Sequence, residues 1–303
     1  MTPTHDLIVV GEGVAGLACA GEAARLGLGV ASFEAEFFGG LVVNVNELEQ
    51  FEEARGASGI GYAGTLAAGN KKAGVRSMTA AVTAVRAAPE GFEVRTDGSE
   101  HTARFVVIAS GARLRKLRVP GETEFEGRGV SHCADCDAPL FAGAPVVVAG
   151  AGNWALQDAL LLARDCSAVH VVHEGAEPAA CADFIRRARA QPRIHFHPRT
   201  SIEEVLGNDG GMTGVRVRGD RGDERDIAAP GLFVLAGLEP NSGIAPAEVE
   251  RDQSGYLQVD DGLETTVPGI WAIGQVRSGF PGWLKDALTD ARRTARFVKA
   301  RRG

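Results

Sequence analysis

The chain has 303 residues, 45% of them hydrophobic, and a formal net charge of −7 with acidic and basic residues interleaved along its length. At about 150 residues per domain, that length implies two domains, and the charge argues against a general nucleic-acid surface. No apolar run approaches the ~18 residues of a membrane span, and an odd set of cysteines, Cys19, Cys133, Cys136, Cys166 and Cys181, is not a secreted disulfide framework.

Asp6-Leu7-Ile8-Val9-Val10 reads as a strand. It begins almost at once, which leaves no room for a secretory leader and sets the expectation of a cytoplasmic protein. The turn Gly11-Glu12-Gly13-Val14-Ala15-Gly16 follows, then an alanine-rich helix over residues 17–26, stopped by Gly27-Leu28-Gly29. Residues 30–33 form the next strand, ending in Glu34. This is a βαβ unit of the dinucleotide-binding type, and each part has a physical reason. The glycines Gly11, Gly13 and Gly16 let the backbone approach a pyrophosphate, the helix N-terminus stabilises its charge, and Glu34 accepts from a ribose hydroxyl about 20 residues on.

Residues 91–95 and 105–109 read as strands leading to Ala109-Ser110-Gly111-Ala112. The nucleotide-type layout then returns. Residues 146–149 are a buried strand, Gly150-Ala151-Gly152-Asn153-Trp154-Ala155 a second glycine turn, 156–163 a helix and 169–172 a strand ending in His173-Glu174. Residues 231–237 and 268–274 each read as a strand with a glycine end, and 284–300 as an amphipathic docking helix. The class is α/β, with two Rossmann-like nucleotide-binding domains.

Ahead of the second turn lies Ser131-His132-Cys133-Ala134-Asp135-Cys136-Asp137. A two-residue spacer at a helix start lets two sulfurs close a small ring, and the helix N-terminus favours the reactive thiolate. Two dinucleotide turns with a C-x-x-C before the second suggest a flavin that exchanges electrons with a dithiol. A zinc half-site would need a second pair of ligands; His170, His173, His195 and His197 follow strand positions without finger spacing, so no metal is expected. Cys19, Cys166 and Cys181 read as small apolar side chains.

At these residues the chain resembles the low-molecular-weight thioredoxin reductases, flavoproteins of the pyridine nucleotide-disulfide oxidoreductase group, nearly end to end. The most specific match is Gly127-Arg128-Gly129-Val130-Ser131-His132-Cys133-Ala134-Asp135-Cys136-Asp137. The resemblance implies three-layer ββα domains and an FAD domain split over residues 1–113 and 232–303. An NAD(P)-type domain at 114–231 would carry the C-x-x-C. It places Gly39, Gly40, Asn46, Ser110, Gly111, Gly274 and Gln275 in flavin-binding segments. It also implies a homodimer whose dithiol is presented alternately to flavin and partner. In the same way Cys136 would face the flavin, Cys133 would attack the partner disulfide and Asp137 would serve as acid–base group.

The sequence also departs from that family. Members that use NADPH carry His-Arg-Arg after the second unit's strand, with another arginine a few residues on, to hold the 2′-phosphate. Here the run is His173-Glu174-Gly175-Ala176-Glu177-Pro178-Ala179-Ala180. Glu174 repels a phosphate but can accept from a free ribose hydroxyl, which disfavours NADPH and leaves NADH open. Trp154 replaces a small residue in the turn, where it either blocks the degenerate site formed with Gly150, Gly152 and Glu174 or packs beneath it. Gln275 stands where the family has a ribitol-binding aspartate, and Leu41 where it has a glutamine. Phe280-Pro281-Gly282-Trp283-Leu284 replaces an Arg-Gln segment, and Asp135 adds a carboxylate that opposes thiolate formation.

The leading expectation is an FAD-dependent disulfide oxidoreductase reducing a thioredoxin-like protein or a small disulfide. The alternatives are a nicotinamide-independent dithiol oxidase using oxygen, a ferredoxin-fed disulfide reductase, and a non-enzymatic flavin redox sensor. An intact Cys133-x-x-Cys136-Asp137 argues against the last.

Overall fold

The computed structural model describes residues 4–45, 48 and 56–302, and its chain divides into two units, Met1–Arg113 with Glu239–Gly303, and Leu114–Leu238.

In the first unit His5–Val10 is the central strand. It pairs in parallel with Val30–Glu34 on one side and Glu100–Ile108 on the other, Leu7 standing opposite both Val30 and Phe105. Arg76–Thr79 extends the sheet beyond Val30–Glu34, and Ile270–Ala272 joins Glu100–Ile108. The hairpin Val82–Ala88 and Gly91–Thr96 continues it antiparallel, giving seven strands among the described residues. A central parallel strand buries both faces and therefore reads as a continuous apolar run rather than an alternation. Period two sorts its side chains: Leu7 and Val9 enter the layer with Ala15, Cys19, Ala23, Ala291 and Ala295, whereas Ile8 and Val10 meet Phe33, Val94 and Ile270. Each fully buried Leu, Ile or Phe here contributes about 1.5–3 kcal/mol.

The small residues of helix Val14–Arg25 let Leu284–Arg302 pack closely against it, with Ala15, Cys19 and Ala23 beside Ala287, Ala291 and Ala295. Burial pushes the Cys19 thiol up to about 12, so it packs as an inert apolar side chain. Helix Gly59–Lys72 carries no strong apolar periodicity and was not anticipated. Its Ser58 cap, whose hydroxyl accepts from Gly61 N, is the local signal for it.

The second unit has a wholly parallel five-stranded sheet in the order Ile194–Pro198, Ala168–His173, Pro145–Ala149, Gly231–Val234, Val130–Ser131. Helices Asn153–Leu162 and Ala182–Ala190 and the short Ala134–Asp137 share the core on one face. The antiparallel sheet Thr200–Asn208, Gly211–Gly219 and Glu224–Ala228 covers the other, giving three layers. The chain returns to the first unit at Glu239, not at residue 232 as the sequence suggested. Gly231–Val234 hydrogen-bonds to Pro145–Ala149 and completes the second unit's sheet, a non-local pairing that its apolar composition could not reveal. No helix among the described residues is long and apolar enough to cross a membrane.

Candidate functional site

In the first unit the glycine segments converge on the start of helix Val14–Arg25. At Gly11 the backbone has φ +99°, and a Cβ on Gly16 would lie 1.9 Å from the Gly11 carbonyl oxygen, so the turn excludes any side chain at either position. Gly13 caps the helix without a side-chain bond, leaving first-turn N–H groups that an anion can take. Gly39 N donates to the Glu12 carbonyl at 2.7 Å and bridges Gly13, and Gly40 packs against Gly13. Ser110 lies against Gly11 and is tied to Asn241, its Oγ donating to the Asn241 carbonyl and Asn241 Nδ2 donating back to the Ser110 carbonyl. Asn241 N in turn donates to the Gly111 carbonyl. Gly274, at φ +67°, sits beside Ala15. Gly11, Gly13, Gly16, Gly39, Gly40, Ser110, Gly111 and Gly274 thus surround one helix end; Asn46 lies outside the described residues.

Glu34 closes the same turn. Its Oε2 accepts from Glu12 N at 2.9 Å and its Oε1 from Ala35 N at 2.8 Å, which fixes the carboxylate beyond the strand end with lone pairs to spare. Gln275 is half-buried, and its amide makes no hydrogen bond with the described residues. Sequence reasoning missed two supports. Glu12 is buried within the turn and accepts from the Ser32 hydroxyl. Asp290, 5% exposed at its side chain, accepts from Gly274 N and forms a two-point ion pair with Arg277 at 2.7 and 3.0 Å. Truncating one partner strands a buried charge. Asp290→Ala is therefore expected to lower unfolding free energy by about 3–5 kcal/mol, measured by urea denaturation.

In the second unit Cys133 and Cys136 form a disulfide with Cα atoms 5.3 Å apart. Cys133 caps helix Ala134–Asp137, its sulfur accepting from Cys136 N at 3.2 Å. Its own N–H donates to Ser131 Oγ at 3.1 Å. Cys133 and Asp137 are half-buried, and Asp135 and Cys136 are exposed. An N–H aimed at sulfur stabilises the thiolate once the bond is opened. Sequence reasoning also missed Asp158, which is 8% exposed on helix Asn153–Leu162, packed against the C-x-x-C helix. Its signal was a carboxylate one position before Ala159 on the apolar face of a short helix.

Around the second glycine turn lies a cavity of about 580 Å³, within the size range of ligand sites. It is lined by the turn, Trp154, His173 and Glu174, and by Arg115 and Lys116. Gly150 has φ +116°, and a Cβ there would meet the Leu235 carbonyl at 2.2 Å. The Trp154 indole is partly buried against the helix-side core while bordering the cavity. His173 is buried with Nε2 lacking a partner among the described residues. Glu174 is exposed, and Glu177 is held by Arg189. On the sheet edge His170 Nδ1 lies 3.1 Å from His197 Nε2, and Arg225 donates to His197 Nδ1. Burial, His170 and Arg225 hold the His197 pKa down at about 4. Among the described residues no group of three or more His, Cys, Asp or Glu is arranged to hold a metal.

Comparison with known proteins agrees with this arrangement. The family model described as pyridine nucleotide-disulphide oxidoreductase matches residues 5–297. A thioredoxin reductase of Treponema pallidum is 33% identical over 279 residues, covering 92% of this chain and 91% of its own. A thioredoxin reductase of Mycolicibacterium smegmatis is 34% identical over 275 residues, covering 90% of this chain and 88% of its own. The crystal structure of Lactococcus lactis thioredoxin reductase superposes with a TM-score of 0.90 at 28% identity, over 98% of both chains. With two glycine-turn units and a disulfide at a helix start in the second, the chain belongs to the pyridine nucleotide-disulphide oxidoreductase family, as a thioredoxin reductase-like flavoprotein oxidoreductase.

Proposed function

We propose that this protein is an FAD-dependent disulfide oxidoreductase that passes electrons between flavin and the Cys133–Cys136 pair and reduces a thioredoxin-like protein or a small disulfide. The observation that carries the reading is the disulfide itself, with Cys133 Sγ accepting the Cys136 N–H at a helix start. Bound FAD would supply a two-electron carrier for the pair. The 11–16 turn and the open helix start would take its pyrophosphate and Glu34 its ribose. The segments of Gly39-Gly40, Ser110-Gly111 and Gly274-Gln275 would hold the remainder, with the Gln275 amide in place of a carboxylate.

The dithiol then works by exchange. Cys133 thiolate attacks one sulfur of the partner disulfide, forming a mixed disulfide and expelling the partner's other sulfur as a thiolate, which takes a proton. Cys136 attacks Cys133, re-forming the Cys133–Cys136 bond and releasing the second partner thiol. Asp137, adjacent to Cys136, is the group assigned to hold or return the proton. Asp135 and Asp137 both oppose thiolate formation, while the Cys136 N–H favours it on Cys133.

For the electron donor the same reading favours NADH over NADPH. The cavity beside Gly150, Gly152 and Trp154 is large enough for part of a dinucleotide, and Glu174 at its border suits a ribose hydroxyl rather than a phosphate. A homodimer and a cytoplasmic location complete the proposal, on the resemblance that the sequence carries.

Purified protein is expected to be yellow with non-covalent FAD, and Gly16→Ala to be colourless, because its Cβ would strike the Gly11 carbonyl. The ratio of visible to ultraviolet absorbance reads this directly; Gly16→Ala protein that retains full FAD overturns the placement of its pyrophosphate at the 11–16 turn, and unmodified protein that is colourless and takes up no added FAD overturns the cofactor assignment. Anaerobic addition of NADH, NADPH and a small dithiol in turn separates the reductase from a dithiol oxidase. In the oxidase only the dithiol bleaches the flavin, and oxygen restores the colour.

A further inference from the structure

Where the two sheets of the second unit meet, one edge of the contact is polar. Val172 belongs to the core shared with the antiparallel sheet, and period two puts His170 on the same face. Ile194 and Phe196 belong to the helix-side core, which turns His195 and His197 to the face of His170. The register sets His170 opposite His195 and Val172 opposite His197. From the other layer Ile202, Val217 and Arg225 form one cross-strand row, so Arg225 shares the inward face of Ile202 and Val217. His170 and His197 are half-buried, and an apolar side chain at either place would leave no polar group to satisfy.

The bonds across this edge run in one direction. Arg225 can only donate, so His197 Nδ1, 2.7 Å away, accepts, and the His197 proton sits on Nε2. Nε2 then donates to His170 Nδ1 at 3.1 Å. Both rings are neutral in this relay, and a second proton on either breaks it. On His197 it points an N–H at Arg225; on His170 it sets two N–H groups face to face. We propose that the Arg225–His197–His170 relay is an acid-sensitive latch that holds the antiparallel sheet on the parallel one and so keeps the two walls of the glycine-turn cavity in place. One wall is Val172, His173 and Glu174 from the parallel sheet, the other Thr200, Ser201 and Ile202 from the antiparallel sheet, and Ile202 stands in the row of Arg225. The inference rests on the reading of that cavity as the dinucleotide site.

The groups around the relay oppose any further proton on it. From the parallel sheet His195 lies 5.5 Å from His170, ring to ring, and His173 ends the same strand. From the antiparallel sheet Arg225 faces His197. The acids of that sheet are paired on its outer face, Glu203 and Glu224 with Arg218, Glu204 and Asp226 with Arg216. Burial first, then His170, Arg225, His195 and His173, bring His197 down to about 4, and burial, His195 and Arg225 lower His170. Because the folded value of His197 lies below the ordinary 6.5, the stability linked to the latch is fully present above about 6.5 and is lost as pH falls from there through the folded value.

The test is amide hydrogen exchange in the oxidised holoenzyme at about pH 7 and about pH 5, corrected for intrinsic rates and read by mass spectrometry on peptides covering Ile194–Pro198 and Glu224–Ala228. Opening of these strands in the unmodified protein should rise about tenfold or more at the lower pH, since each pH unit below the unfolded value is worth up to about a decade. The double variant His170→Asn/His197→Gln, which keeps polar partners without a titrating ring, should change by less than about twofold. Arg225→Met, at an exposed position, serves if the double variant does not fold. It removes the cation that opposes protonation and should move the loss of protection to higher pH. Saturating ADP-ribose, a dinucleotide fragment without nicotinamide, should restore protection of the unmodified protein at the lower pH by binding both walls. The same pH dependence in the unmodified protein and either folded variant, or protection that bound ADP-ribose leaves unchanged, overturns the inference. Unmodified protein that binds no ADP-ribose at the higher pH by calorimetry instead overturns the reading of the cavity on which it rests.

Discussion

Cys136→Ser protein is expected to accumulate a stable mixed disulfide between Cys133 and its partner, and turnover of either single-cysteine variant should fall by roughly three to six orders of magnitude. The asymmetry follows from the local geometry. Cys133 caps the helix and receives the Cys136 N–H, a backbone bond that Cys136→Ser preserves, so the remaining sulfur keeps its nucleophilic form. It attacks the partner normally, but no second thiol is present to displace the product. Cys133→Ser removes the attacking sulfur and should trap nothing. Incubation with a disulfide-bonded thioredoxin followed by non-reducing mass measurement distinguishes the two. Equal trapping by both variants, or by neither, sinks the assignment of Cys133 as nucleophile. Cys19 and Cys166 do not confuse the count, being fully buried with thiols pushed up by burial. Cys181 is exposed and should be replaced beforehand.

How much of this was legible depended on how local the signal was. The first βαβ unit was readable because glycines, an alanine-rich helix and Glu34 fall at fixed spacing, and each has a reason within a few residues. The C-x-x-C was readable for the same reason. The second boundary was not, because Gly231–Val234 joins a sheet whose other strands lie up to a hundred residues away, and an apolar run carries no mark of its partner. Asp290 and Asp158 were invisible for a related reason. In sequence each is an acid in a helix, and only packing shows that one holds Gly274 N while the other is buried. Trp154 was readable as a departure, but both its roles, against the core and at the cavity border, required coordinates.

The other large effect concerns the nicotinamide. NADPH should be a poor reductant, and Glu174→Arg should raise its affinity by about two decades or more. Each charge-assisted hydrogen bond to phosphate contributes about 1.5–3 kcal/mol, and the related NADPH enzymes use arginines where this chain has Glu174 and Gly175. Glu174 is exposed, so solvent screens it and the low end applies. Two bonds at that end give ~3 kcal/mol, or about two decades in affinity. NADH has no 2′-phosphate and escapes this penalty, but must still fit beside Trp154. The indole packs on the helix-side core and leaves the neighbouring cavity open, so Trp154→Ser should change NADH affinity by less than Glu174→Arg changes that of NADPH. Flavin reduction by each nucleotide under anaerobic conditions measures all of these. Efficient NADPH use by the unmodified protein would show that the phosphate is held by some other cation, and a large gain in NADH use by Trp154→Ser would show that the indole obstructs the site.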